Sequence, residues 1–136
     1  MKLSTYPFCL FLGSVLLLSG CGGTDTPPAG EVTGKVTLEG EALQEGVVSF
    51  YSAKLGSGGS AEITTEGTYT LSEPLQTGQY AVTVLPPPEP PPQDLVPQDV
   101  KVDDAKFPAR YRDPQKSNLT LEIVEGDNIF DIDMKK

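Results

Sequence analysis

From Glu31 onward apolar side chains return at every second residue, and no helical apolar stripe of useful length interrupts them. "EVTGKVTL" sets Val32, Gly34, Val36 and Leu38 against Thr33, Lys35 and Thr37. "GVVSFYS" places Val48 and Phe50 on one face, "GQYAVTVL" does the same with Tyr80, Val82 and Val84, and "NLTLEIV" with Leu119, Leu121 and Ile123. "NIFDIDM" puts Phe130, Ile132 and Met134 opposite Asp131 and Asp133, with Gly126-Asp127-Asn128 as the break before it. The runs "SAEIT" and "TYTLS" flank Glu66-Gly67, a turn signal expected to join them as a hairpin. A two-residue period with a polar outer face predicts antiparallel sheets that each bury one side. Two such sheets face to face give an all-β, seven-stranded antiparallel β-sandwich over residues 31–136.

The residues ahead of this domain read as an address. Lys2 supplies a positive n-region and Phe8 to Leu18 an apolar run, too short for a spanning helix of about twenty residues. Leu18-Ser19-Gly20-Cys21 then resembles the lipobox of bacterial lipoproteins, in which cleavage between Gly20 and Cys21 leaves an acylated cysteine as the first residue. Residues 1–20 are therefore expected to be a cleaved lipoprotein signal peptide, and 21–30, rich in Gly, Thr and Pro, a lipidated flexible tether. The other cysteine, Cys9, would be discarded, so Cys21 would have no disulfide partner. Thioether linkage to a lipid removes a reactive thiol, and two or more acyl chains hold a protein firmly where one does not.

With ten basic against nineteen acidic residues and a net charge of -9, the chain is not expected to bind nucleic acid, or anionic headgroups through a basic patch. The membrane contact would be the lipid, at the cell membrane or outer membrane, with the domain facing the periplasm or exterior. Gly22, where an aspartate would retain many enterobacterial lipoproteins at the inner membrane, favours the outer one.

"GEVTGKVTLEGEALQEGVVSFYS" followed by "GGSAEITTEGTYTLSEPLQTGQYAVTV" is similar to the carboxypeptidase regulatory-like, transthyretin-like domains, over Gly34 to about Leu85. Gly40 and Gly46 would turn the chain between the first two strands, Gly67 would make the turn before Tyr69, and Gly78 opens the fifth strand. The tail from Phe107 looks like that of small planctomycete-type lipoproteins carrying this domain. The resemblance implies a prealbumin-like sandwich.

Catalytic constellations are scarce. The sequence has no histidine, which removes the usual general base, the usual zinc ligand and the Ser-His-Asp system. Transthyretin-shaped hydrolases of purine breakdown depend on histidines and a Tyr-Arg-Gly-Ser ending, whereas this sequence closes on "DIDMKK". An enzymatic role, a cofactor and a bound metal are not expected. Asp127, Asp131 and Asp133 offer hard oxygens for Ca²⁺, but alternation places the last two on the solvent face of a strand. The glycines of "GSGGS", 56 to 60, read as a loop, and the Pro-rich stretch 85–97 as an extended excursion between the fifth and sixth strands.

One stretch stands apart. "FPARYRDPQKSNLT" holds both arginines of the chain, Arg110 and Arg112, on either side of Tyr111. As a binding patch the three could grip a carboxylate, a phosphate or a sugar. As a connector, Phe107 and Tyr111 would pack inward while Arg112 pairs with a carboxylate such as Asp113, and Asp113-Pro114 would start a turn. The resulting expectation is a monomeric, membrane-anchored, non-catalytic module that is structural or binds an envelope protein. A carbohydrate- or peptidoglycan-binding module and a Ca²⁺-dependent adhesion module are the alternatives. Glycan binding would draw on Tyr51, Tyr69, Tyr80 or Tyr111.

Cys21→Ser is expected to move the protein from the membrane to the soluble fraction and to abolish fatty-acid labelling. Unchanged partition would dispose of the lipid anchor.

Overall fold

The computed structural model describes residues 26–89 and 102–136. Gly20, Cys21, the rest of the signal peptide, the first half of the tether and the prolines beyond Glu89 lie outside the described residues. Ten strand segments and one short helix form two packed sheets, so the sandwich is borne out. All the expected strands are present. The last is split in two, and two-residue segments add the remainder.

The first sheet is organised on one long strand, β1 (Ala29–Leu38). Along one edge it pairs antiparallel with β6 (Leu75–Gln76), β5 (Thr68–Thr70) and β2 (Glu41–Ala42). Along the other it pairs with β9 (Gly126–Ile129) and β10 (Ile132–Met134), and both of these run parallel to it. The second sheet has the order β4-β3-β7-β8, antiparallel throughout: β4 (Ser57–Glu62), β3 (Val47–Ser52), β7 (Gly78–Leu85) and β8 (Leu119–Ile123).

The parallel pairs follow from where the chain changes sheets. Ile123, the end of β8, lies opposite Gly78, at the same end of the sandwich as Pro28, whose carbonyl accepts from Thr77 N at 2.9 Å. The chain then crosses to the first sheet within two residues, so β9 must leave that end in the same direction as β1. Parallel neighbours need a long crossover, and here nearly the whole domain lies between β1 and β9.

Three local expectations are corrected, the third of them at Gly126-Asp127-Asn128. The turn at Gly67 is real: its φ is +79°, and Gly67 N donates to the Thr64 carbonyl at 2.9 Å. The runs on either side do not form a hairpin, because β4 pairs with β3 and β5 with β1. Alternation says which face a strand buries and leaves open which edge it joins. "GSGGS" is likewise not a loop. Ser57 to Ser60 form most of β4, where Gly59 lets Leu71 and Leu75 of the other sheet approach closely.

Between the sheets lie Val32, Val36, Val48, Phe50, Tyr69, Tyr80, Val82, Val84, Ile123, Ile132 and Met134, all essentially without solvent contact. Tyr69 stacks obliquely on Phe50, ring centres 6.1 Å apart, and donates its hydroxyl to the Phe130 carbonyl at 2.5 Å. Burial, and secondarily the charge of Asp131, push that hydroxyl well above the usual tyrosine range, so it stays a donor. Gly34 lies so close to the same stretch that an added Cβ would sit 1.9 Å from the Phe130 oxygen. Asn128 is the buried polar residue of β9. Its amide nitrogen donates to the carbonyls of Glu31, Val124 and Gly126 at 2.9–3.1 Å, and its oxygen accepts from Val124 N at 3.0 Å. This network ties the β8–β9 crossover to the start of β1. Gly126-Asp127-Asn128 is thus strand rather than separator.

Removing the Asn128 amide leaves several buried backbone groups unpaired, each costing about 1–3 kcal/mol. Asn128→Ala is expected to lower stability by about 3 kcal/mol, and Tyr69→Phe by about 1 kcal/mol, both read from urea denaturation. Gly34→Ala is expected to abolish cooperative unfolding.

Candidate functional site

The arginine-bearing stretch closes one end of the sandwich. Asp103 starts a turn, its carbonyl accepting from Lys106 N and Phe107 N at 3.1 and 2.8 Å. Pro108, with no N–H to give, then precedes a single helical turn, α1 (Ala109–Arg112). On this helical turn Arg110 and Arg112 take separate partners. Phe107 and Tyr111 do pack inward: Phe107 lies against Gly46, and α1 packs on β7.

Tyr111 is the hub of this corner. Its hydroxyl oxygen accepts from Lys135 N at 2.9 Å and from Arg110 Nη2 at 2.7 Å, and the same Arg110 nitrogen donates to the Lys135 carbonyl at 2.5 Å. The guanidinium also rests over the Tyr111 ring, 4.6 Å from its centre. Arg112 pairs with Asp104 and not with Asp113, whose carboxylate instead meets Lys116. Asp113 starts the expected turn, accepting at its carbonyl from Lys116 N and Ser117 N. The polar groups of Arg110 and Tyr111 are therefore turned on the protein's own C-terminal strand.

Two of the three aspartates flagged as hard-oxygen donors are also engaged. Asp131 accepts from Lys35 N at 2.9 Å, and Asp133 from Thr37 Oγ1 at 2.9 Å and Gly40 N at 3.3 Å. The Lys135 ammonium, with the Thr37 hydroxyl second, holds the Asp133 carboxyl below its ordinary range. This contribution to stability is present above the usual aspartate range and is lost as pH falls through the lowered value. Of the tyrosines named as glycan candidates, Tyr69, Tyr80 and Tyr111 are buried, while Tyr51 is 54 % exposed on the outer face of the second sheet. It borders a shallow depression of about 330 Å³ with Lys54, Gln79, Gln115 and Thr120.

A larger concavity lies elsewhere, along β4. A groove of about 1040 Å³ runs between Ala61 and Glu62 of β4, Thr70 of β5, and the chain leaving β7 at Leu85 to Glu89. It continues toward the tether end as a second hollow of about 310 Å³, between Gly58 and Ser60 on one side and Leu71 to Gln76 on the other. Ser60 and Ser72 line both parts. β4 ends one sheet here and the β5–β6 rank ends the other, so the groove is the open side of the sandwich. Sequence reasoning missed it because it treated half of β4 as a loop.

No protein-family model matches the chain, and no curated protein matches it. Among solved structures it is similar to a DUF3823 family protein from Parabacteroides merdae, with a TM-score of 0.45 and 16% identity. The similarity covers 79% of this chain and 46% of the other, so the chain spans under half of that protein's length.

Tyr111→Ala is expected to cost about 4 kcal/mol, the usual loss for a buried aromatic, and Arg110→Ala about 1 kcal/mol. The double variant should fall short of their sum, since both remove one cluster. Urea denaturation of the four proteins measures this.

Proposed function

We propose that this chain is a lipid-anchored envelope protein whose sandwich is a non-catalytic module that binds another envelope protein along the β4 groove. The observation that carries the binding reading is the groove itself, continuous along the free edge of one sheet and walled by the other. The lipobox at Leu18 to Cys21 supports the anchor. β1 starts at Ala29, so a tether from Cys21 would enter at the end of the sandwich marked by Pro28 and Gln76. The opposite end, with Pro86 to Pro88, α1 and the last residues, would then face away from the membrane. β1 alone spans about 30 Å at 3.3 Å per residue, which sets the height of that face. On this reading the domain is a carboxypeptidase regulatory-like sandwich, monomeric when unbound and without affinity for nucleic acid.

A second reading, glycan or peptidoglycan binding, is favoured by the single placement of Tyr51. Its exposed ring lies beside amide side chains, the usual furniture of a sugar platform.

One experiment separates the two. A photo-crosslinking amino acid at Ser72 lies in the groove, and one at Thr120 lies in the depression beside Tyr51. Discrete protein adducts from Ser72 in intact cells, with none from Thr120, are the expected result. Adducts to cell-wall glycan from Thr120 alone would replace the first reading with the second.

A further inference from the structure

We propose that β4 accepts an added strand: an extended segment of the partner protein, with lysine or arginine alternating with apolar residues, joins the second sheet at its free edge. This rests on the groove as the binding surface and specifies what fills it.

The backbone supplies the first argument. Ile63 N donates to the Gly46 carbonyl at 2.9 Å, one step beyond the β3–β4 register that pairs Val47 with Glu62. In an antiparallel ladder alternate residues turn their N–H and C=O groups to the same neighbour. Ala61, Gly59 and Ser57 therefore face β3, and Gly58, Ser60 and Glu62 turn theirs outward. Among the described residues no strand pairs with that side. The outward groups repeat every second residue, about 7 Å apart, which is the repeat of a peptide strand.

The groove supplies the side-chain chemistry. Its floor is apolar, with Ala61, Leu71, Leu75 and Leu85, which suits alternate apolar side chains. Glu62, Glu73 and Glu89 stand around it, and among the described residues neither lysine nor arginine lines it. An added strand thus meets apolar surface on one face and carboxylates on the other, and like charges directly opposite would destabilise it. The same charge argues against a second copy of this chain, since each brings its own Glu62 edge and a net charge of -9.

The probe is a capped nine-residue peptide alternating valine and lysine, titrated onto the full chain by fluorescence anisotropy at low salt. Saturable binding is expected, with slowed amide exchange at Gly58, Ser60 and Glu62. A glutamate-for-lysine peptide should bind at least tenfold more weakly. Ser60→Pro removes an outward N–H that the β3 ladder does not use, so binding should fall at least tenfold with Tm unchanged. Should that variant not fold, N-methylation of the probe does the same on the ligand side: methyls on one set of alternate amides should abolish binding, and on the other set leave it intact. Equal tolerance of both sets, or protection away from β4, overturns strand addition. A dimer of the chain dissolved by Ser60→Pro would give the edge to a second copy and overturn the proposed occupant. Loss of peptide binding while Ser72 adducts persist sinks the strand and spares the groove, and loss of both sinks both.

Discussion

Everything in the first sheet takes its position from β1. Five other strand segments pair with this one strand, three on one edge and two on the other. None of the five exceeds four residues, so none could hold a register alone. The closest approach in that arrangement is Gly34 against the Phe130 carbonyl, which also receives the Tyr69 hydroxyl. A side chain at 34 would push β10 and β5 off at once. The absence of a Cβ at a single position is what lets three segments converge there.

The second sheet is built differently, from longer strands in plain antiparallel order, and it carries most of the aromatic and β-branched core. Its borders are treated unequally. At the end of the sheet where β7 runs out, the sandwich is closed by the stretch 102–117: Phe107 and Tyr111 pack inward, and Arg110 and Tyr111 tie α1 to Lys135 after the C-terminal strand. On the β4 side nothing among the described residues plays that part. An exposed edge with small residues invites pairing, and Glu62 is the one charged side chain on β4 that limits it. One end is closed by aromatic side chains, and the β4 side is left open with an acidic rim among the described residues.

Much of this was legible beforehand. Strand existence and the buried faces followed from alternation, because side chains on a pleated strand must leave it on opposite sides. Tyr80, Val82 and Val84, or Ile132 and Met134 against Asp131 and Asp133, needed no tertiary information. The inward packing of Phe107 and Tyr111 was one of the two readings the stretch allowed. What failed was pairing and small residues. Period two is blind to which edge a strand joins, so the hairpin around Gly67 was misassigned. Serine and glycine have no apolar signature, so the first half of β4 was mistaken for a loop and its groove went unseen. The partner of Arg112 was likewise open: Asp104 and Asp113 are both near in sequence, and the turns at Asp103 and Asp113 decided between them.

The sequence by itself determined the class of fold, the strands and their inner faces, because these depend on local periodicity. The tertiary structure alone decided the parallel pairing of β9 and β10 with β1, the sharing of the Gly67 turn between sheets, and which edge was left open. Those depend on edges meeting over 97 residues of chain, as between Glu31 and Asn128, and backbone hydrogen-bonding groups are the same in every residue but proline. Side-chain pattern can specify a face. Only packing can specify a neighbour.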